Sequence, residues 1–334
     1  MDSDAREFTA YTKTDGKKAE KFGTNTIPVA VADGAKYIYY AIVDEEDDSY
    51  ADLYVQRGKN KTKLRSNVEA NRFGLILNAD YSQIVINDEG RAYLSVNGEE
   101  AESLGKFEIG SLITNQIPSR STYDKWDHRV YGLKDLKKTV FYDDEHAIRM
   151  IGKSGEVWTV ERSWYAAAVA PDQSSIVYLD SRNRLVRKSL KSADAEKVVL
   201  AEDVYGFAAS PDTKEIYYLD DIEDLYYVKG SSKPKKIASD VQPGSIQVAQ
   251  DGTAVFLADY RRESGVLYQS KNGGKPSKIA DDVYSAIVTP AGLFYSRNAD
   301  GEYIDLYFGK NFSKAELLDK DVRKYDISVI DNAY

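Results

Sequence analysis

Short runs rich in Val, Ile, Tyr and Phe follow one another along the chain, and turn residues separate them. Three successive segments, residues 215–253, 254–292 and 293–331, align with one another almost without gaps. One repeat reads as four runs in order: SIQVAQDG, TAVFLADY, GVLYQSKNG and KPSKIADDV. A period of about 40 residues filled by four β-type runs predicts one four-stranded antiparallel sheet per repeat. The fold class that this pattern predicts is all-β, a β-propeller of four-stranded blades.

The first run of each repeat is marked by a turn signal at its end, such as Pro211-Asp212 or Asp251-Gly252. Such runs recur at residues 27–35, 74–82, 165–174, 205–214, 245–253, 285–292 and 325–332. A second mark, an Asp-Val pair, precedes several of them and is found at 203–204, 240–241, 282–283 and 321–322, with Asn67-Val68 as a weaker copy. We interpret these pairs as structural, with the Asp in a turn and the Val plugged between blades.

The blade count depends on the ends of the chain. Four-strand sets begin near residues 27, 74, 129, 165, 205, 245 and 285, with residues 129–133 as the first strand of the third set. The remaining runs, residues 7–14, 17–23 and 325–332, are expected to join as an eighth, three-stranded blade that closes the ring. Eight blades are favoured and seven are the alternative. Residues 1–334 are thus predicted to form a single domain with an insertion at about 106–128.

The second strands are aromatic, as in the runs 37–40 and 216–219. Tyrosines at alternate positions could form a sugar-stacking platform. Such side chains in the middle of a blade more often pack between blades, which is the interpretation we adopt.

Composition removes several classes of function. The chain has no cysteine, which excludes thiol catalysis, zinc-thiolate sites and disulfides. Its net charge of −9 argues against a nucleic-acid partner. The two histidines, His128 and His146, fit no metal-binding spacing, and the acidic run 44–48 does not follow the EF-hand order. We therefore expect no cofactor and no metal.

Runs such as Ser210-Pro211-Asp212 followed by IYYLD and DLYYVKG resemble the repeats of TolB-like propellers, strongly from about residue 165 onward. The chain also resembles uncharacterised propeller domains on envelope proteins of Gram-positive bacteria. This resemblance implies an extracytoplasmic, cell-surface location and a binding role, without indicating a substrate. No apolar run in the sequence approaches a membrane span, and we expect that any signal or anchor lies outside this sequence.

The best candidate for a ligand surface is the place where the repeat pattern breaks. The insertion carries Tyr123, Asp124, Trp126, Asp127 and His128, and long loops in compact domains are commonly functional. A short covering arm is an equally good interpretation of this insertion. Trp158 and Trp164 follow in the next repeat, so all three tryptophans fall within one short part of the chain.

The leading functional hypothesis is a non-enzymatic binding propeller, a monomer that engages a protein or glycan partner through these seven residues, with no catalytic residue assigned. The alternative is a glycan-active enzyme with Asp124 or Asp127 as acid and base. A third hypothesis is a purely structural spacer.

Overall fold

The computed structural model describes residues 9–12, 20–44, 46–47, 49–69, 74–113, 120–121, 128–162, 164–300, 303–310, 312 and 315–323. The chain divides into two compact units, Met1–Leu112 with Gln116–Val160, and Ile113–Asn115 with Glu161–Tyr334.

In the first unit, strands form a hairpin and three four-stranded sets, numbered blades 1 to 3. The hairpin consists of β1 (Thr9–Thr12) and β2 (Glu20–Thr24). Blade 1 consists of β3 (Thr26–Val31), β4 (Ile38–Val43), β5 (Tyr50–Arg57) and β6 (Asn60–Glu69). Blade 2 consists of β7 (Gly74–Leu77), β8 (Gln83–Asp88), β9 (Arg91–Val96) and β10 (Glu102–Gly105). Blade 3 consists of β11 (Ile109–Leu112), β14 (Val140–Asp143), β15 (Ile148–Ile151) and β16 (Val157–Glu161). Two short strands, β12 (Arg120–Ser121) and β13 (His128–Val130), lie between β11 and β14 in the chain.

The second unit contains four further sets, blades 4 to 7. Blade 4 consists of β17 (Trp164–Val169), β18 (Ser175–Asp180), β19 (Leu185–Ser189) and β20 (Lys197–Ala201). Blade 5 consists of β21 (Val204–Ala209), β22 (Glu215–Asp220), β23 (Leu225–Lys229) and β24 (Lys235–Ala238). Blades 6 and 7 share a strand and consist of β25 (Gln247–Val248), β26 (Thr253–Arg261), β27 (Ser264–Lys271), β28 (Ser277–Thr289), β29 (Gly292–Asp300), β30 (Tyr303–Gly309) and β31 (Glu316–Arg323).

The architecture is all-β, and in the described residues the helical content is limited to one 3-10 turn, Asp33–Ala35. Neighbouring strands within a blade pair antiparallel, as in the order β21-β22-β23-β24. No helix in the described part of the chain is long and apolar enough to cross a membrane. The prediction of four-stranded antiparallel repeats is confirmed. Ring closure and the single-domain interpretation stay predictions.

The middle strands of the blades are buried on both faces. In β22, Ile216 and Tyr218 pack with blade 4, whereas Tyr217 and Leu219 pack with blade 6. Successive side chains of a strand point to opposite faces, so one apolar run supplies two cores. Tyr217 is fully buried, and Tyr39 occupies a comparable core between blades 1 and 2. The aromatic second strands therefore pack between blades, as the sequence predicts.

Buried tyrosines also fasten blades through their hydroxyls. The Tyr217 hydroxyl donates to the Ser270 carbonyl at 3.1 Å and accepts from the Gly273 N–H at 2.9 Å, joining blades 5 and 6. Between blades 4 and 5, the Arg187 guanidinium donates to the carbonyls of Thr213 and Gly230 at 2.8 and 2.9 Å. Buried polar atoms at these boundaries thus have partners on the neighbouring blade.

The Asp-Val pairs have a conformational explanation. Asn67, Asp203, Asp240, Asp282 and Asp321 all have φ between +53° and +55°. Asp and Asn tolerate this left-handed conformation better than most residues. The residue after four of these turns enters the core, since Val68, Val204, Val241 and Val283 are at most 1% exposed, whereas Val322 is half-buried. The interpretation of these pairs as structural is confirmed.

The third blade differs from the prediction. Its first strand is β11, which pairs with β14, and not the run 129–133. Residues 128–130 do form a strand, β13, but it pairs parallel with β7 of blade 2, with His128 opposite Leu75. The run has strand character, but its local sequence does not specify its partner. The long connection consequently lies inside blade 3, between its first and second strands.

The chain ends are described only in part. The predicted runs at 7–14 and 17–23 appear as the hairpin β1–β2, in which Thr9 pairs with Thr24. The predicted strand at 325–332 lies outside the described residues, so the eighth blade stays a prediction.

The left-handed turns generate a stability prediction. We expect Asp240→Gly to leave the free energy of unfolding near that of the parent, because glycine adopts φ +53° without strain. Asp240→Val should lower it by about 1–2 kcal/mol, since a β-branched residue is strained there. Denaturant unfolding of the two variants checks this. Equal stabilities would contradict the assignment of a conformational role to this position.

The buried tyrosines predict alkaline sensitivity. Burial raises the pKa of Tyr218 to about 12, with smaller contributions from Tyr226 and Asp220. The folded protein then holds a proton that the unfolded chain releases near pH 10, so stability falls as pH rises from about 10 to about 12. Tyr218→Phe should remove part of this loss, about 2–3 kcal/mol at the upper end. Tyr205→Phe, at a side chain that is 67% exposed, is the matched control. Chemical unfolding at a series of pH values measures both, and identical pH profiles would contradict the prediction.

Candidate functional site

The predicted ligand surface lies largely beyond the described part of the chain. Tyr123, Asp124, Trp126 and Asp127 are outside the described residues. His128 is the first residue of β13, where the backbone pairing with Leu75 fixes its place on the edge of blade 2. This part of the predicted site is neither confirmed nor contradicted.

The two other predicted residues belong to different units. Trp158 lies on β16 in the first unit and covers the backbone of Gly152, where an added Cβ would come within 2.5 Å of its Cζ3 atom. Its indole N–H is buried and makes no hydrogen bond to any described residue. Trp164 begins β17 in the second unit, opposite Asp180. Their role as ligand contacts stays a prediction.

A groove of about 670 Å³ opens in the second unit between the first strands of blades 6 and 7. One wall is formed by the chain leading into β25 and by β26, and the other by the second half of β28. Its lining comprises residues 242–245, 247, 248, 257, 260 and 284–288.

The groove exists because blade 6 has a shortened first strand. The chain between the buried valine and the turn aspartate spans eight residues in blade 5, from Val204 to Asp212, but ten in blade 6, from Val241 to Asp251. The extra length forms a turn at Pro243-Gly244, in which the Ser245 N–H donates to the Gln242 carbonyl at 3.2 Å. Gly244 has φ +79°, as the third position of a type II turn requires.

The turn remains attached to the sheet on both sides. The Gln242 N–H donates to the Leu257 carbonyl at 2.8 Å, and the Leu257 N–H donates to the Ser245 hydroxyl at 3.1 Å. Pairing with β26 resumes at Gln247 opposite Val255. A side-chain oxygen therefore replaces one backbone acceptor, and the groove wall is held in place.

Gln247 ties the two walls together. Its side-chain Nε2 donates to the Ala286 carbonyl at 2.6 Å, and its Oε1 accepts from the Val288 N–H at 2.7 Å. This pair of bonds imitates the contact that the peptide group of a neighbouring strand would make. The Ala286 carbonyl and the Val288 N–H of β28 therefore have a side chain as their hydrogen-bond partner instead of a neighbouring strand.

Two tyrosines lie close together in the groove. The Tyr260 hydroxyl donates to the Glu263 carbonyl at 2.9 Å, which fixes its ring. Burial raises the pKa of Tyr260, and the negative charge that Tyr284 and Glu263 can carry raises it further. The Tyr260 hydroxyl is therefore protonated and neutral at physiological pH.

No lining residue is Asp, Glu, His, Lys or Arg, although 30% of the chain is charged. Rings, amides, hydroxyls and backbone groups make up the polar and aromatic surface. Such a lining can orient a ligand by packing and hydrogen bonds, and it contains none of the carboxylates or imidazoles that most often act as general acids and bases. Within the described residues, there is also no group of three His, Asp or Glu side chains placed to hold a metal ion.

A second, open cavity of about 500 Å³ on blade 4 is lined in part by Asp172, Arg187, Lys191 and Glu196. Its arginine already donates to blade 5 carbonyls. This cavity is better explained as part of the boundary between blades 4 and 5.

Two features of the sequence signal the groove, although the predicted site does not include it. One is the Pro243-Gly244 dipeptide, a turn signal where the other repeats continue a strand, and the other is the two-residue excess in length. The sequence around this turn does not show that Tyr260 and Tyr284 line the same groove, because these two residues belong to other strands.

Comparisons with known proteins do not show a family. No family model and no curated protein matches the chain. Among solved structures, it is similar to a puromycin-hydrolysing peptidase of Mycobacterium tuberculosis, with 10% identity, a TM-score of 0.44 and coverage of 95% of this chain and 53% of that one. It is also similar to PorZ, a surface component of the type-IX secretion system of Porphyromonas gingivalis, with 14% identity, a TM-score of 0.39 and coverage of 75% and 33%.

A third similar structure is TolB from Acinetobacter baumannii, with 11% identity, a TM-score of 0.35 and coverage of 87% of this chain and 66% of that one. The chain thus spans about half of the peptidase, a third of PorZ and about two thirds of TolB. Similarities this distant carry no argument about function, and membership of the TolB-like repeat family stays a prediction.

The Gln247 bridge generates a prediction about the groove. Gln247→Ala should lower the free energy of unfolding by about 1–3 kcal/mol, because the Ala286 carbonyl and the Val288 N–H lose their partners. In Gln247→Glu a carboxylate faces the Ala286 carbonyl, so its pKa rises above the ordinary value of about 4.3. Its stability deficit should then shrink as pH falls through that pKa, because the protonated acid can donate. Thermal unfolding at several pH values checks this, and a pH-independent deficit would contradict it.

Proposed function

We propose that the chain is a non-enzymatic binding propeller of a bacterial cell-envelope protein, and that it holds a protein or glycan partner in the groove between blades 6 and 7. The observation that carries this proposal is the composition of the groove, which joins two tyrosine rings to fixed neutral hydrogen-bonding groups. Concave sites with aromatic surface and a few oriented polar groups are typical of ligand binding.

The same lining favours binding over catalysis. Glycoside hydrolysis ordinarily needs two carboxyl groups on opposite sides of the reacting bond, and the groove lining has none. The carboxylates of the enzyme hypothesis, Asp124 and Asp127, lie outside the described residues. The groove therefore supports a site that holds its ligand without transforming it.

Several wider features belong to the same proposal. An extracytoplasmic location is supported by the lack of cysteine and by the resemblance to envelope propellers. An eight-bladed closed ring is supported by the hairpin β1–β2 at the start of the chain and by the strand pattern at residues 325–332. We further propose that the chain is a monomer and a single domain, and that the ligand is also contacted by Tyr123, Asp124, Trp126, Asp127, His128, Trp158 and Trp164.

The proposal predicts ligand-dependent stabilisation. In thermal unfolding with a panel of cell-wall glycans and peptides, a true ligand at a hundredfold excess over its Kd should add about 2.7 kcal/mol of stability. Tyr284→Ala should abolish this gain, and Tyr205→Ala, at an exposed tyrosine outside the groove, should retain it, with folding of both verified by circular dichroism. Mass spectrometry should recover the ligand unchanged.

Two results would contradict the proposal. Release of products would restore the enzyme hypothesis. Loss of binding in Trp126→Ala or Trp158→Ala, with retention in Tyr284→Ala, would move the site to the tryptophan-bearing surface.

A further inference from the structure

The charge of the groove restricts the chemistry of its ligand. Burying an ionic group against a surface without countercharge carries a large desolvation cost. The groove lining has no cationic side chain to receive a carboxylate or phosphate, and no anionic one to receive an amine. The ligand portion that enters the groove is therefore uncharged.

The tyrosines supply a flat surface. The Tyr260 hydroxyl donates its hydrogen to the Glu263 carbonyl, so this residue offers a ligand its ring face and an accepting oxygen. Tyr284 lies beside it and lines the same groove. Rigid amphipathic rings give contact area at little conformational cost, and they suit ligands with both an apolar face and polar edges. A sugar ring has this form, because its C–H bonds cover one face and its hydroxyls surround it.

The hydrogen-bonding groups match hydroxyls. The half-buried Gln242 side-chain amide makes no hydrogen bond to the described residues and offers both a donor and an acceptor. The hydroxyl of Ser285 pairs with that of Ser296 at 2.9 Å, a contact in which either can donate. Groups that both donate and accept complement a hydroxyl, which also does both.

The edge of β28 disfavours an extended peptide. Peptides that bind sheet edges do so through backbone hydrogen bonds to a free strand. Here the Ala286 carbonyl and the Val288 N–H are both bonded to the Gln247 side chain. A peptide strand would have to displace this bridge, whereas a ligand held by rings and amides would not.

We propose that the groove between blades 6 and 7 binds a neutral glycan, with sugar rings packed on Tyr260 and Tyr284 and hydroxyls bonded to the Gln242 amide. This inference rests on the proposed binding function and names its ligand class. The wall is prepared for binding, because the Pro243-Gly244 turn and the Gln247 bridge fix it before any ligand arrives.

The test is isothermal titration of the full chain with three kinds of probe. The first is neutral oligosaccharides, namely cello- and chito-oligomers, the second is oligogalacturonate, which carries a carboxylate on each ring, and the third is a set of extended peptides. Neutral oligomers should bind, and oligogalacturonate and the peptides should bind at least tenfold more weakly. Tyr284→Ala and Gln242→Ala should each raise the Kd for the neutral oligomer about tenfold or more. Tyr205→Ala, at an exposed tyrosine outside the groove, should leave it unchanged.

A charge variant sharpens the test. Gln242→Lys places a cation in the groove and should shift preference toward oligogalacturonate by about tenfold or more, if the sugar lies there.

The outcomes separate the two proposals. Groove-dependent binding of a peptide, or of oligogalacturonate in preference to neutral oligomers by the parent chain, would overturn the neutral-glycan inference and retain the binding function. Binding unaffected by Tyr284→Ala and Gln242→Ala, or none with any probe, would overturn both.

Discussion

Apolar packing between adjacent blades is the interaction on which the described architecture depends. A single blade cannot bury its two faces. Its second strand is apolar on both faces, as Tyr217 and Tyr218 of blade 5 show. Blade 5 therefore completes its two cores only with blade 4 on one side and blade 6 on the other. This requirement explains why the strands carry nearly continuous apolar runs, and why polar contacts such as those of Arg187 bridge blades and do not replace the cores.

The connections between blades are constrained by the same packing. The chain must turn sharply after the outermost strand and deliver a valine into the next core at a fixed position. A left-handed Asp or Asn produces that turn, and Val204 and Val241 occupy equivalent buried positions one repeat apart. The conformation of the Asp or Asn and the position of the valine depend on each other, because a shift of one residue along the strand would turn the valine toward solvent.

Much of the fold could be predicted because the features that specify it recur. The period, the turn signals and the Asp-Val pairs report local geometry that is repeated in successive blades. Blade 3 was assigned wrongly because its first strand, β11, is separated from β14 by a long connection, and the run at 129–133 resembled a first strand. A strand's pattern shows that it pairs, but its partner is decided by contacts distant in sequence, as the pairing of β13 with β7 shows. The groove was missed for a related reason: its turn is visible in sequence, whereas the arrangement of Tyr260, Tyr284 and Gln247 depends on three different strands.

The turn at Pro243-Gly244 also bears on how such a chain can diversify. The two additional residues do not change which segment pairs with β26. Before the turn Gln242 is hydrogen-bonded to Leu257, and after it the strand pairing continues with Gln247 opposite Val255. Length variation at this point is absorbed locally, and the cores on either side retain their register. A repeat protein built in this way can carry a recess in one blade while its remaining blades keep the common pattern, so that specificity can vary separately from the scaffold.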